Sequence, residues 1–67
     1  MLDIGVVCRT REPILKSESG DAARLCRVVA LVPEHRWRTA NVPEYKVVLL
    51  SKPVTAFCRE RDLTIAQ

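Results

Sequence analysis

The chain has 67 residues, 48% of them apolar and 28% charged, and eleven Lys or Arg stand against eight Asp or Glu for a net charge of +3. That length makes one domain, residues 1–67, which buries only about 60% of the surface its unfolded chain exposes. Such a core has no room for an enclosed substrate cavity, and the composition is neither disordered nor fibrous.

In chain order, Leu2, Ile4, Val6 and Cys8 alternate with Asp3, Gly5, Val7 and Arg9, a period of two that predicts a strand. A polar loop follows from Thr10 to Asp21, with Pro13, Ser17, Ser19 and Gly20. Ala22 to Val32 reads two ways. The β-rich residues Val28, Val29, Leu31 and Val32 cluster where a strand centre would lie. Ala22, Leu25, Cys26 and Val29 also fit a helical stripe, with Asp21 as N-cap and Pro33 as terminator. The β-branched cluster favours the strand. A second loop, Pro33 to Pro43, holds His35, Trp37 and Asn41. Glu44 to Leu50 is a strand with Tyr45, Val47 and Leu49 on one face and Lys46, Val48 and Leu50 on the other. Ser51-Lys52-Pro53 forms a tight turn, Val54 to Arg59 a short strand, and Leu63 and Ile65 a final alternating piece.

The longest uncharged apolar run, Val28 to Val32, is far too short to span a bilayer, and Met1 to Gly5 lacks a basic signal-peptide start. These features predict a cytoplasmic protein with no membrane association. Cys8, Cys26 and Cys58 are odd in number and include no CxxC pair, so they read as small buried side chains in a reducing compartment. The sharper alternative completes a three-cysteine metal site with His35, but separated single ligands are weak evidence for one.

The element order is similar to that of the SH3-like small barrels of bacterial and plasmid proteins. Val6 to Arg9 matches their first strand, Gly20-Asp21 the turn before a second strand at Arg24 to Val32, and Tyr45 to Leu49 the third. Phe57-Cys58-Arg59-Glu60-Arg61-Asp62-Leu63 resembles their fourth strand running into a short closing turn, which implies that Leu63 plugs the barrel end. The resemblance implies an all-β barrel of about five short strands. The alternative is an α+β fold, with one helix at 21–32 packed on a three-stranded antiparallel sheet. With few aromatics, and Arg9, Arg11 and Lys16 in or beside the first loop, the chain departs from the SH3 domains that bind proline-rich peptides. Arg24 to Val32 also lacks the glycine of the KOW-type ribosome-associated barrels. Val54-Thr55-Ala56-Phe57 stands where the type II dihydrofolate reductases, tetramers of such chains, carry Val-Gln-Ile-Tyr. Thr55 is too short to replace the amide, and Phe57 lacks the hydroxyl, so this reductase reading is a remote alternative.

No nucleophilic triad, phosphate loop or carboxylate pair is encoded. Gly5 and Gly20 stand apart, and Glu60 and Asp62 alternate with Arg59 and Arg61 as a solvated turn. The expectation is a protein without catalysis, cofactor or small-molecule substrate. Two binding surfaces are candidates. Val7, Val29, Leu31, Val48 and Leu50 would face outward from the strands as an apolar patch, which predicts an interface with a second copy or another protein. Arg36-Trp37-Arg38 offers a stacking plane between two guanidinium groups, and with Arg9, Arg11 and Lys46 it would hold single-stranded DNA or RNA. Against the second, Trp37 can fold back beneath the stems of its two arginines as a structural cap.

Overall fold

A computed structural model describes residues 1–66. Its strands are β1 (Val7–Thr10), β2 (Leu25–Leu31), β3 (Glu44–Leu49), β4 (Thr55–Arg59) and β5 (Leu63–Ile65). They form one antiparallel sheet in the order β4-β3-β2-β1-β5, a meander whose last strand returns to pair with the first. A single 3-10 turn, Glu60–Asp62, separates β4 from β5, the two ends of the sheet. The result is a small, barrel-like all-β fold of five strands, as the resemblance implied.

The α+β alternative fails, and for a local reason. Only Asp21–Arg24 is helical, as one turn (α1). Ala22 and Ala23 favour it, and Ala23 is buried. At Leu25 the backbone becomes extended, and β2 is then bonded on both sides, to β1 and β3. A central strand rich in valine outweighs a helical stripe with only one turn of good helix formers.

The inner face of the sheet is dry. Cys8, Cys26, Val28, Tyr45 and Val47 are fully enclosed, with Leu63 packed among them and Leu2, Val6, Ile14, Ala56 and Cys58 around the margin. Leu63, which the resemblance to SH3-like barrels implied as a plug, is enclosed in this core. Tyr45 points its ring inward and its hydroxyl to the rim. There it accepts from the Leu2 amide at 2.8 Å and donates to Glu60 Oε1 at 2.7 Å.

Two irregularities depart from strict alternation. The predicted first strand, Leu2 to Arg9, begins only at Val7, because Gly5 adopts φ +95 and leaves Ile4 exposed. In β2 the register slips between Val28 and Ala30: Val28 faces Val47, but Ala30 faces Lys46 and Leu31 faces Tyr45. Val29 is the extra residue of a β-bulge, and the chain beyond it changes side.

Candidate functional site

The outward face of the sheet is set by the register. Val7, Arg27, Val48 and Thr55 stand in one row across β1 to β4, and Ala30, Lys46 and Phe57 in the next. Cross-strand neighbours share a face. Phe57 is therefore beside Lys46 on the outside, 58% exposed, and Val29 is 39% exposed. Leu50, just past β3, is 46% exposed. Val7 and Val48 are half-buried. The bulge corrects one member of the expected patch. Leu31 lies opposite Tyr45 rather than on the side of Val29, and its exposure comes from its place at the strand end. Phe57 was the residue missed. A turn over Ser51 to Pro53 alone would set Leu50 opposite Val54 and Cys58 opposite Lys46; the loop also takes in Leu50, so Leu49 meets Val54 and Phe57 faces Lys46.

The Arg36-Trp37-Arg38 loop is less free than its sequence suggests. Glu34–Arg36 forms a 3-10 turn. Trp37 is half-buried and donates its indole N–H to the Val32 carbonyl at 2.8 Å. Arg38 donates its backbone N–H to Glu44 Oε2 and its Nε to Glu44 Oε1 at 3.1 Å. Glu44 is enclosed, and burial alone would raise its pKa. The Arg38 hydrogen bonds, with the charges of Arg38 and Arg59, outweigh burial and hold the carboxyl below its usual range. Of the two arginines beside Trp37, Arg36 is exposed and enters none of the described ion pairs.

The other cations of that constellation are dispersed. Arg9 forks onto Asp21 at 2.9 Å, and Lys46 lies on the same outward face toward the far end of the sheet. Arg11 lies 4.0 Å from Asp62. The fold brings together only Arg11 and Arg38, at a cleft. Its walls are the segment Thr10 to Ile14 and the strand residues Ala56 to Arg59, with Arg38 and Asp62 at its ends and a volume of about 530 Å³.

This cleft follows the free edge of β4. Leu49 N–H donates to the Val54 carbonyl, and Glu60 N–H to the Pro43 carbonyl, at 2.9 and 2.7 Å. In an antiparallel pair these bonds recur at every second residue. Val54, Ala56 and Cys58 therefore turn their backbone groups toward β3, while Thr55, Phe57 and Arg59 turn theirs into the cleft. Arg38 Nη2 reaches the Phe57 carbonyl at a long 3.4 Å. Arg59 donates Nη1 to Thr39 Oγ1 at 3.2 Å, while its enclosed Nε, 3.5 Å from Asp62, makes no hydrogen bond.

The cysteines supply no activated nucleophile. Burial raises the pKa of Cys8 and Cys58, and burial with the neighbouring thiols pushes Cys26 up to about 12. A thiol so placed stays protonated at neutral pH. Among the described residues no three His, Cys, Asp or Glu side chains are grouped as a metal site requires, and His35 lies in its own loop beside Trp37 and Asn41. Among the described residues no helix is long and apolar enough to cross a membrane.

Compared with protein-family models, curated proteins and solved structures, the chain matches none. The functional reading rests on its own residues.

Proposed function

We propose that the chain is a non-catalytic assembly module of the SH3-like barrel kind, which associates with a second copy of itself through the outward face of β2, β3 and β4. The observation that carries this reading is Phe57, a large apolar side chain 58% exposed in the middle of a strand, with Val29, Val48 and Leu50 on the strands beside it. Burial contributes roughly 1.5–3 kcal/mol for each such side chain, which is substantial beside the stability of a domain this small. The strand order and the Glu60–Asp62 turn support the barrel kinship. The three free thiols suit a reducing compartment, the cytoplasm.

Sedimentation equilibrium tests the reading. The wild type is expected as a dimer, and Val48→Asp and Phe57→Asp as folded monomers with unchanged circular dichroism. A monomeric wild type at high protein concentration, or dimers in both variants, overturns self-association through this face.

A further inference from the structure

We propose that the cleft along the free edge of β4 binds a short extended peptide as an added strand, one whose side chains alternate between apolar and acidic. Three observations converge on it. The backbone N–H and C=O groups of Thr55, Phe57 and Arg59 open into the cleft, and an unpaired strand edge is a template for another strand. β4 is five residues long, so it offers about 17 Å of pairing at ~3.4 Å per residue. Among the described residues, the hydrogen bond that reaches this edge is the long one from the Arg38 guanidinium to the Phe57 carbonyl, at 3.4 Å, which an incoming amide N–H can displace.

The side chains of the cleft define the chemistry of the occupant. Pro13, Ile14, Ala56 and Cys58 form an apolar floor toward the core, which takes every second residue of an added strand. Arg11, Arg38 and Arg59 rim it on the outer side. Arg11 is highly exposed and engaged only by Asp62 at 4.0 Å. Arg38 keeps Glu44 through Nε and, once released from the Phe57 carbonyl, directs its remaining N–H groups outward. Glu44 is enclosed behind it, and the carboxylates on the cleft walls are Glu12 and Asp62, the latter already beside two arginines. A carboxylate side chain from the ligand therefore meets under-used guanidinium groups. A second copy fits poorly here, because its own β4 would bring another Arg59 to a rim already lined with arginine.

The cleft shares Phe57 with the outward apolar face but does not include Val48, so Val48→Asp should leave it intact. The experiment is a titration of the ¹⁵N-labelled Val48→Asp protein with the blocked hexapeptide Val-Glu-Val-Glu-Val-Glu, followed by amide shifts and hydrogen exchange. The expected result is saturable shifts at Thr55 to Arg59 and at Thr10 to Ile14, with slowed exchange of the Phe57 and Arg59 amides. Arg11→Glu should weaken binding severalfold, and so should replacing Glu by Lys in the peptide. A peptide N-methylated at every second residue, with the same side chains, should not bind. No saturable shift at millimolar peptide overturns the proposal. So does equal binding of the N-methylated peptide, a response confined to Val29 and Lys46, or edge amides that shift on dilution of the protein alone. The last would mean that a second copy fills the edge.

Discussion

Strand β3 carries two surfaces whose residues are one position apart. Tyr45 and Val47 are wholly enclosed, and Leu49 is 2% exposed. Between them Lys46 stands in solvent and Val48 is half-covered. Both sets are hydrogen-bonded, the inward residues to β4 and the outward ones to β2, so backbone bonding does not account for their different burial. The difference is what lies opposite. Inward residues meet β2 partners that are themselves enclosed, Cys26 with Leu49 and Val28 with Val47. Outward residues have neighbours but no covering layer. One face is thus committed to the core, and the other is left uncovered.

The strongest way to break this comparison is to place the same charge on each side. Val47→Asp buries a carboxylate with no cation nearby, a cost of several kcal/mol that a domain this small cannot absorb. The variant should lack a cooperative unfolding transition by circular dichroism. Val48→Asp, one residue on, should cost the monomer only about 1 kcal/mol, the span of strand preference at a half-covered position. Equal losses in both would mean that the outward face is covered within the monomer.

That pair also shows why much of this fold was legible in the sequence. The alternation of Tyr45, Val47 and Leu49 with Lys46 and Val48 assigns the faces of β3 without any structure. The enclosure of Leu63 after the Glu60–Asp62 turn was expected on other grounds, from the resemblance to SH3-like barrels and not from alternation. Alternation fails where the backbone departs from it. The bulge at Val29 turns Leu31 to the other side, and bulges leave little trace in a run as uniform as Leu25 to Leu31. Gly5 has no side chain to interrupt a pattern, yet with its positive φ the strand starts only at Val7. The cleft was illegible for a different reason. It joins residues near 10–14 to residues near 56–59, segments that no spacing in the sequence relates.

The two faces should also answer differently to alkali. Inside, Cys26 is raised from 9.0 to about 12 by burial and by the adjacent thiols, and burial raises Cys8 as well. The folded state therefore holds protons that the unfolded chain gives up. Stability is full below pH 9 and falls as pH rises toward 12, at up to about 1.4 kcal/mol per pH unit for each such proton. Urea midpoints measured from pH 8 to 11 should decline, and Cys26→Ala, though less stable at pH 7, should show a shallower slope. An unchanged slope would put Cys26 in contact with water. On the outer face, Arg9 holds Asp21 below its ordinary range, first by hydrogen bonding and then by charge, and that contact loses its carboxylate only in acid.

The finest comparison lies within one side chain, because Tyr45 spans both environments. Its ring belongs to the enclosed face and its hydroxyl to the rim, where Leu2 N–H and Glu60 meet it. Tyr45→Phe keeps the ring and removes the link. Glu60 lies at the surface, and the Leu2 amide sits near it, so water replaces much of what is lost, and the cost should be about 0.5–1.5 kcal/mol. In a domain of this size that lowers Tm by roughly 4–8 °C per kcal/mol. Hydrogen exchange at Leu2 should accelerate more than at Val28, since the hydroxyl ties the N-terminal segment rather than the sheet. Phe57→Tyr, which adds a hydroxyl on the open side, should leave the monomer's Tm unchanged. If Tyr45→Phe costs nothing and Leu2 exchanges as before, then Leu2 and Val6 hold the segment by packing alone. The hydroxyl would then be polar only because the rim is wet.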